Sequence, residues 1–276
     1  MKSYTEFLDA ELKALGAGDA EKAVDLFRRG EKLFENGKWP EAADAYHSAM
    51  EIVDAPTFRL RFSQCMVEMK KGPDAIMAAK KALELAESLD HAILYIAACE
   101  QMASALSSQM EFDKAEVFAR EAVDVSKSLN DKNASIRALN TLGVLYAKAG
   151  KLEKASKVFH EALELNIEGD DNLKGMADTC GNIGSINYFT GNLEESLKWS
   201  LKALETHKAI GDKFSVGMDH YNIGLARERL GALDQAKSHY EEALSAFIDL
   251  GMKSHQNEVM AQLEELKEEM EKKNAE

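Results

Sequence analysis

A small residue recurs at near-constant spacing inside helical segments, at Gly30, Ser63, Ala103, Gly143, Gly184 and Gly224, and this period constrains the fold more than anything else in the chain. The intervals are 33, 40, 40, 41 and 40 residues. A fixed period of this length marks a stack of supersecondary units, because one such unit cannot bury its apolar face alone. The unit is best preserved between Leu139 and Leu165. There Leu139, Leu142, Gly143 and Tyr146 recur at helical spacing, the chain turns at Gly150, and Ala155, Phe159 and Ala162 recur at helical spacing again. The pattern predicts a helical hairpin with an apolar seam.

Composition agrees with an array rather than a mixed globular domain. Proline is scarce (3 in 276 residues) and aromatics make up only 7%, while strong helix formers dominate and strand signals are absent. Lys and Arg number 34 against 48 Asp and Glu, a net charge of −14, which disfavours a phosphate backbone as partner. Cys65, Cys99 and Cys180 are far apart and outside any metal-binding or disulfide spacing, which fits a reducing compartment. Residues 1 to 16 mix Glu6, Asp9 and Glu11 with apolar residues and so lack the core of a signal peptide. No apolar run reaches the roughly 20 residues a membrane span needs. The expectation is a cytoplasmic protein with no membrane partner.

Set against the tetratricopeptide pattern, Leu139, Leu142-Gly143, Tyr146, Ala155, Phe159 and Ala162 match, with Leu139 where Trp is commonest. The chain therefore resembles the tetratricopeptide repeat family. The likeness extends over residues 19 to 256, and its 40-residue period is similar to the long repeats of kinesin light chains and regulatory tetratricopeptide proteins. It implies an all-α fold, a right-handed superhelix (α-solenoid) of about six helical hairpins starting near residues 23, 56, 96, 136, 177 and 217. Residues 1–18 are expected to form an N-terminal capping helix. Residues 257–276 are expected to form a C-terminal solvating one, with Met260, Leu263, Leu266 and Met270 on its apolar face.

The family's period is about 34 residues, so most intervals here carry six or seven extra. These extra residues fall at Ser88-Leu89-Asp90, Asn130-Asp131-Lys132, Gly169-Asp170-Asp171 and Gly211-Asp212-Lys213. Each junction offers an Asp to cap the next helix, as Asp19 does for the first, so the flanking helices are expected to lengthen by about a turn. The hairpin turns place Gly150, Gly191 and Gly231 where a helix exits left-handed, Met110 and Lys70-Lys71 being the departures. The second repeat is the weakest copy.

No catalytic spacing occurs: there is no phosphate loop, zinc-protease motif or nucleophile elbow, and the seven histidines are scattered. His47 and His160 fall on an outward position and His220 on the seam. Neither an enzyme, a metal site nor a cofactor is expected.

The resemblance also implies where a partner binds. In the family the first helices line a concave groove, and the residues two before and one after the small mark face it. Two before the mark stand Arg28, Arg61, Gln101, Thr141, Asn182 and Asn222; one after Gly184 stands Ser185. A carboxamide can both donate to and accept from one peptide unit, so Asn182 and Asn222 are candidates to hold an extended segment. In repeat five the aromatics are displaced by one residue: Asn187 stands in the place of Tyr146 and Ser200 in that of Phe159, with Tyr188, Phe189 and Trp199 beside them. A one-residue shift turns a side chain by about 100°, which carries Tyr188 and Phe189 toward the groove. The alternative is that Tyr188 and Trp199 fold back into the seam. The full candidate face is Arg137, Asn140, Thr141, Asn182, Ser185, Tyr188, Phe189, Tyr221, Asn222 and Arg229. Arg137 and Asn140 do not amount to the Lys-and-Asn clamp that some family members use for a chaperone terminus.

These residues point to a non-catalytic scaffold or adaptor binding a protein or peptide, as a monomer or weak homo-oligomer. A peptide-responsive signalling receptor and a self-assembling structural protein are the rivals. Receptors of this type usually carry an effector domain, for which residues 1–18 are too short.

Overall fold

The structure is a computed structural model and describes residues 8, 11–12, 20–167 and 172–275. Thirteen helices and no strand are found among the described residues. The chain divides into two compact units, residues 1–151 and 152–276. The division falls at the Gly150 turn, so the two helices of the fourth repeat belong to different units.

The first unit contains α1 (Ala20–Glu35), α2 (Trp39–Ile52), α3 (Pro56–Glu68), α4 (Gly72–Ser88), α5 (Ala92–Ser108), α6 (Phe112–Ser128) and α7 (Lys132–Lys148). Each helix packs on its neighbours in sequence, and α3 also meets α5 as α5 meets α7. The extra residues of the long period do lie in helices: α5, α6 and α7 have 17 residues each, against 14 and 13 in α2 and α3. Seam positions are filled as their spacing requires, with Phe27, Tyr46 and Phe58 fully buried and their rings 5.4–5.6 Å apart. Gly30 has no side chain because a Cβ there would run into the Tyr46 ring.

Leu8 and Leu12 of the N-terminal segment are buried in the same cluster; the rest of the expected capping helix, and Asp19, lie outside the described residues. Glu11 is buried with them. Its two carboxyl oxygens accept from the backbone N–H and hydroxyl of Thr57, at 2.8 and 2.6 Å, in the first turn of α3. That helix has Pro56 at its start and no side-chain cap of its own, so Glu11 takes that part.

The second unit contains α8 (Leu152–Ile167), α9 (Leu173–Phe189), α10 (Leu193–Ile210), α11 (Lys213–Arg229), α12 (Leu233–Asp249) and α13 (Lys253–Ala275). Here α9 pairs with α10 and α11 with α12. Gly224 faces the buried ring of Tyr240, as Gly30 faces Tyr46. Repeat five is different. With Ser200 in place of the ring, a Cβ on Gly184 would meet the α10 backbone itself, 3.2 Å from the Ser196 oxygen and from the Ser200 nitrogen. The lost aromatic is thus compensated by close approach of two helices, and the Ser200 hydroxyl is left buried without a hydrogen-bond partner.

Two expectations need correction. On α13 Leu266 is buried and Leu263 and Met270 are half-buried as expected, but Met260 is 48% exposed and Val259 is buried in its place. At the junctions, Asp131 and Asp212 do cap α7 and α11, accepting from the N–H of Ala134 and of Ser215. Asp90 does not cap: it adopts the left-handed conformation itself, and His91 Nδ1 accepts from Leu94 N–H. Asn172 caps α9, and Gly169–Asp171 lies outside the described residues.

Candidate functional site

The candidate residues fall in both units. In the first, the polar side chains of the first-helix face are satisfied by their own chain. Arg61 donates to Glu31 at 2.6 Å and lies over the Phe34 ring, while Tyr46 also donates to Glu31. Gln101 donates to Ser63 Oγ, which in turn donates to the Ala75 carbonyl. On α7, Arg137 Nε donates to both oxygens of Glu100 at 2.8–3.0 Å, Thr141 donates to the Arg137 carbonyl, and the half-buried Asn140 is also engaged. Arg61 and Arg137 are therefore neutralised by Glu31 and Glu100 of neighbouring helices, whereas the exposed Arg28 meets only Asp25 of its own helix among the described residues.

On the second unit the corresponding face is open. Asn182, Ser185 and Phe189 share one stripe of α9 at positions i, i+3 and i+7. Asn222 and Arg229 repeat the first and last of these on α11. Both asparagines are half-buried, and neither carboxamide has a hydrogen-bond partner among the described residues. Ser185 donates to the Gly181 carbonyl and Phe189 is 66% exposed. Tyr221, next to Asn222, has its ring 5.7 Å from that of Tyr240; burial, together with the Glu258 carboxylate, pushes its hydroxyl up to about 12.

The displaced aromatics of repeat five do not turn together. Tyr188 packs on the cluster of Leu197, Leu204, Ile223 and Ala226, while the exposed Phe189 ring meets it edge to face at 5.5 Å. Arg229 covers Tyr188: its guanidinium lies 4.7 Å from the ring centroid and Nη1 donates to the Tyr188 carbonyl at 2.7 Å. That carbonyl, at the C-terminal end of α9, also accepts from the Gly191 N–H at 3.1 Å. Trp199 is half-buried with Lys202 at 5.5 Å from its ring, and Asn187 donates to the Ile183 carbonyl.

A polar cluster that sequence reasoning passed over lies in the same unit. His207 on α10 is buried between Asp178 of α9, 3.2 Å from Nε2, and Asp219 of α11, 2.6 Å from Nδ1. Burial alone would push the imidazole down, but the hydrogen bonds to the two carboxylates outweigh it and hold it up at about 9. Lys174 bridges Asp178 and Asp212 beside it. A signal did exist: Asp219 takes the register position of Ala98, Ala138 and Thr179, and His207 that of Ala86, Ser126 and Asn166, all of them buried. A titratable residue at a core register on two successive helices is the sequence mark of such a cluster. One hairpin on, His220 and His239 meet Nδ1 to Nδ1 at 3.0 Å, and burial with nearby Lys208 lowers His220 to about 4. Among the described residues no group of three or more potential ligands is placed to hold a metal ion, and no helix is long and apolar enough to cross a membrane.

The tetratricopeptide repeat profile matches residues 92–168 and 175–249, more than half of the chain. The chain belongs to the tetratricopeptide repeat family. No curated protein matches it in sequence. Among solved structures it is similar to NprR in complex with its cognate peptide NprX, at 16% identity and a TM-score of 0.66 over 95% of this chain and 78% of that one. A Rap protein complexed with competence and sporulation factor gives 13%, 0.65, 99% and 82% for the same quantities. Bacillus thuringiensis PlcR in complex with the peptide PapR7 and DNA gives 16%, 0.60, 88% and 75%. At these identities the likeness is one of fold: all-α tandem repeats of the tetratricopeptide type.

Proposed function

We propose that this protein is a non-catalytic binding protein that holds an extended peptide segment of a partner on the first-helix face of α9 and α11. The observation that carries the reading is the pair Asn182 and Asn222. These two half-buried carboxamides, one repeat apart, have no protein partner among the described residues and so are free to bond a ligand. Each can receive and donate to one peptide unit of a ligand. Phe189 offers apolar area beside the first, and Arg229, exposed at the matching place on α11, a positive charge near the second. In this reading Ser185 and Tyr221 flank the site, while Arg137, Asn140 and Thr141 are helix-packing residues rather than ligand contacts. Residues 1–18 and 257–276 act as end caps. The net charge of −14 favours a peptide over a nucleic acid, and three buried free cysteines fit a reducing, cytoplasmic setting.

A second reading, a receptor whose conformation responds to a small peptide, is favoured by the likeness to NprR, Rap and PlcR, each solved with a peptide bound. Selection of binders from a displayed heptapeptide library against the full chain, followed by titration of the selected peptides, tests both. Each carboxamide lost leaves peptide groups unpaired, at about 1 kcal/mol apiece, so Asn182→Ala with Asn222→Ala should weaken binding at least about tenfold. Equal affinity for the double variant would remove the site. X-ray scattering of the free and bound chain then separates the readings, because a receptor changes shape on binding and an adaptor does not.

A further inference from the structure

We infer that His207 is a positioning residue: a charged imidazolium that ties α9 to α11 through Asp178 and Asp219 and thereby holds the two asparagine-bearing helices at a fixed spacing. With both acids ionised, the geometry requires the charge. Both ring nitrogens face carboxylate oxygens, at 2.6 and 3.2 Å. A neutral imidazole has one N–H and could donate to only one of them, leaving a lone pair against an anion, whereas an imidazolium donates to both. The site is also closed. The His207 side chain is 3% exposed and that of Asp219 5%, so water cannot take over that bond, while Asp178, 39% exposed, closes the solvent side of the ring.

The surroundings are asymmetric in a way that favours this state. Facing His207 from α9 are Asp178 and, behind it, Lys174; from α11 come Asp219 and the capping Asp212, which Lys174 also bridges. Lys208, the next residue on α10, acts instead on His220 and His239. Gly181, one turn from Asp178, lies so near that a Cβ there would meet Asp219 Oδ1 at 3.4 Å, so α9 and α11 approach each other beside the clamp. Asn182 follows Gly181, and Asn222 lies one turn beyond Asp219. A change in the spacing at the clamp is therefore transmitted to the two carboxamides. The group's proton affinity is higher folded than unfolded, so its contribution is complete below the ordinary histidine value of about 6.5 and is lost as pH rises through about 9.

The consequence for ligand binding rests on the reading above, so the test uses no ligand and can fail independently of it. The His207 Cε1–Hε1 resonance of the full chain is followed by NMR across the alkaline range. A midpoint above about 8 supports the charged clamp and a lower one overturns it. Spin labels at Leu173→Cys and Lys213→Cys, both exposed and one repeat apart at the starts of α9 and α11, then report the spacing. A narrow distance distribution at neutral pH that widens once His207 deprotonates is expected, and His207→Gln should be wide at both pH values. A wild-type distribution that ignores pH overturns the positioning role even if the glutamine variant does not fold.

Discussion

The two units present the same helical register with opposite use of its polar positions. Two residues before the small mark, the first unit's Arg61 and Gln101 each bond to a side chain of the preceding repeat, Glu31 and Ser63, while Arg28 is exposed and Thr141 bonds its own helix. At the same place the second unit has Asn182 and Asn222, bonded to nothing among the described residues. Between Arg61 and the asparagines the difference is not one of burial, since all three are half-buried. It lies in reach and complementarity. A guanidinium spans to the next helix and meets a carboxylate, whereas a short carboxamide stops at its own surface. The register position that builds the stack in one unit is thus free to bind in the other.

The widest separation between the units should appear in stability. Leu142→Ala, in the seam, sets the scale at a cost of about 2–5 kcal/mol. Arg61→Ala should approach it, at about 2–3 kcal/mol, because Glu31, which also accepts from the Tyr46 hydroxyl, loses its cation in a largely enclosed place. Asn182→Ala should change urea-denaturation stability by no more than about 0.5 kcal/mol. An Asn182→Ala loss comparable to that of Arg61→Ala would erase the distinction and make the second unit's asparagines structural too.

A smaller effect concerns how the first unit is closed at its end. Glu11→Ala should cost about 2 kcal/mol, because the Thr57 N–H and hydroxyl remain buried without an acceptor. The contact should also depend on pH. Burial raises the Glu11 carboxyl to about 7, against the lowering pull of the two bonds from Thr57. A carboxyl whose folded value lies above its unfolded one binds more protons folded than unfolded, so stability falls as pH rises from about 4.5 to 7. Hydrogen exchange at the Thr57 amide should therefore be slower at pH 5 than at pH 7.5 once corrected for intrinsic rates, and Glu11→Gln should remove that difference.

What was legible in the chain was whatever depends on neighbours in sequence. Gly30 opposite Tyr46 and Gly224 opposite Tyr240 are separated by 16 residues in every copy, so period and seam could be read directly. The junction caps at Asp131 and Asp212 act three residues ahead, and these too were readable. Contacts set between repeats were not. Rotating Tyr188 and Phe189 by 100° treats α9 as isolated, but Arg229, 41 residues on, reaches back to the Tyr188 carbonyl and covers its ring. His207 likewise needs acids 29 residues before and 12 after it, and only the stacking of three helices brings them together.

The smallest effect separates the units by their turns. Among the described residues of the second unit, every residue with positive φ is a glycine: Gly191, Gly211, Gly231 and Gly251. In the first unit Gly37 and Gly150 have positive φ too, but Lys70, Asp90, Met110 and Asn130 adopt the same conformation at φ of 49–60°. A Cβ in the left-handed region costs roughly 1 kcal/mol, and Asn and Asp tolerate it better than Met or Lys. Met110 is 75% exposed, so replacing it removes little packing. Met110→Gly should therefore stabilise the chain by up to about 1 kcal/mol, less the backbone entropy glycine adds to the unfolded state. Gly231→Ala in the second unit should destabilise by a similar amount. If both changes lower the melting temperature, the left-handed turns of the first unit are held by their surroundings at no local cost, and the contrast between the units is confined to their polar faces.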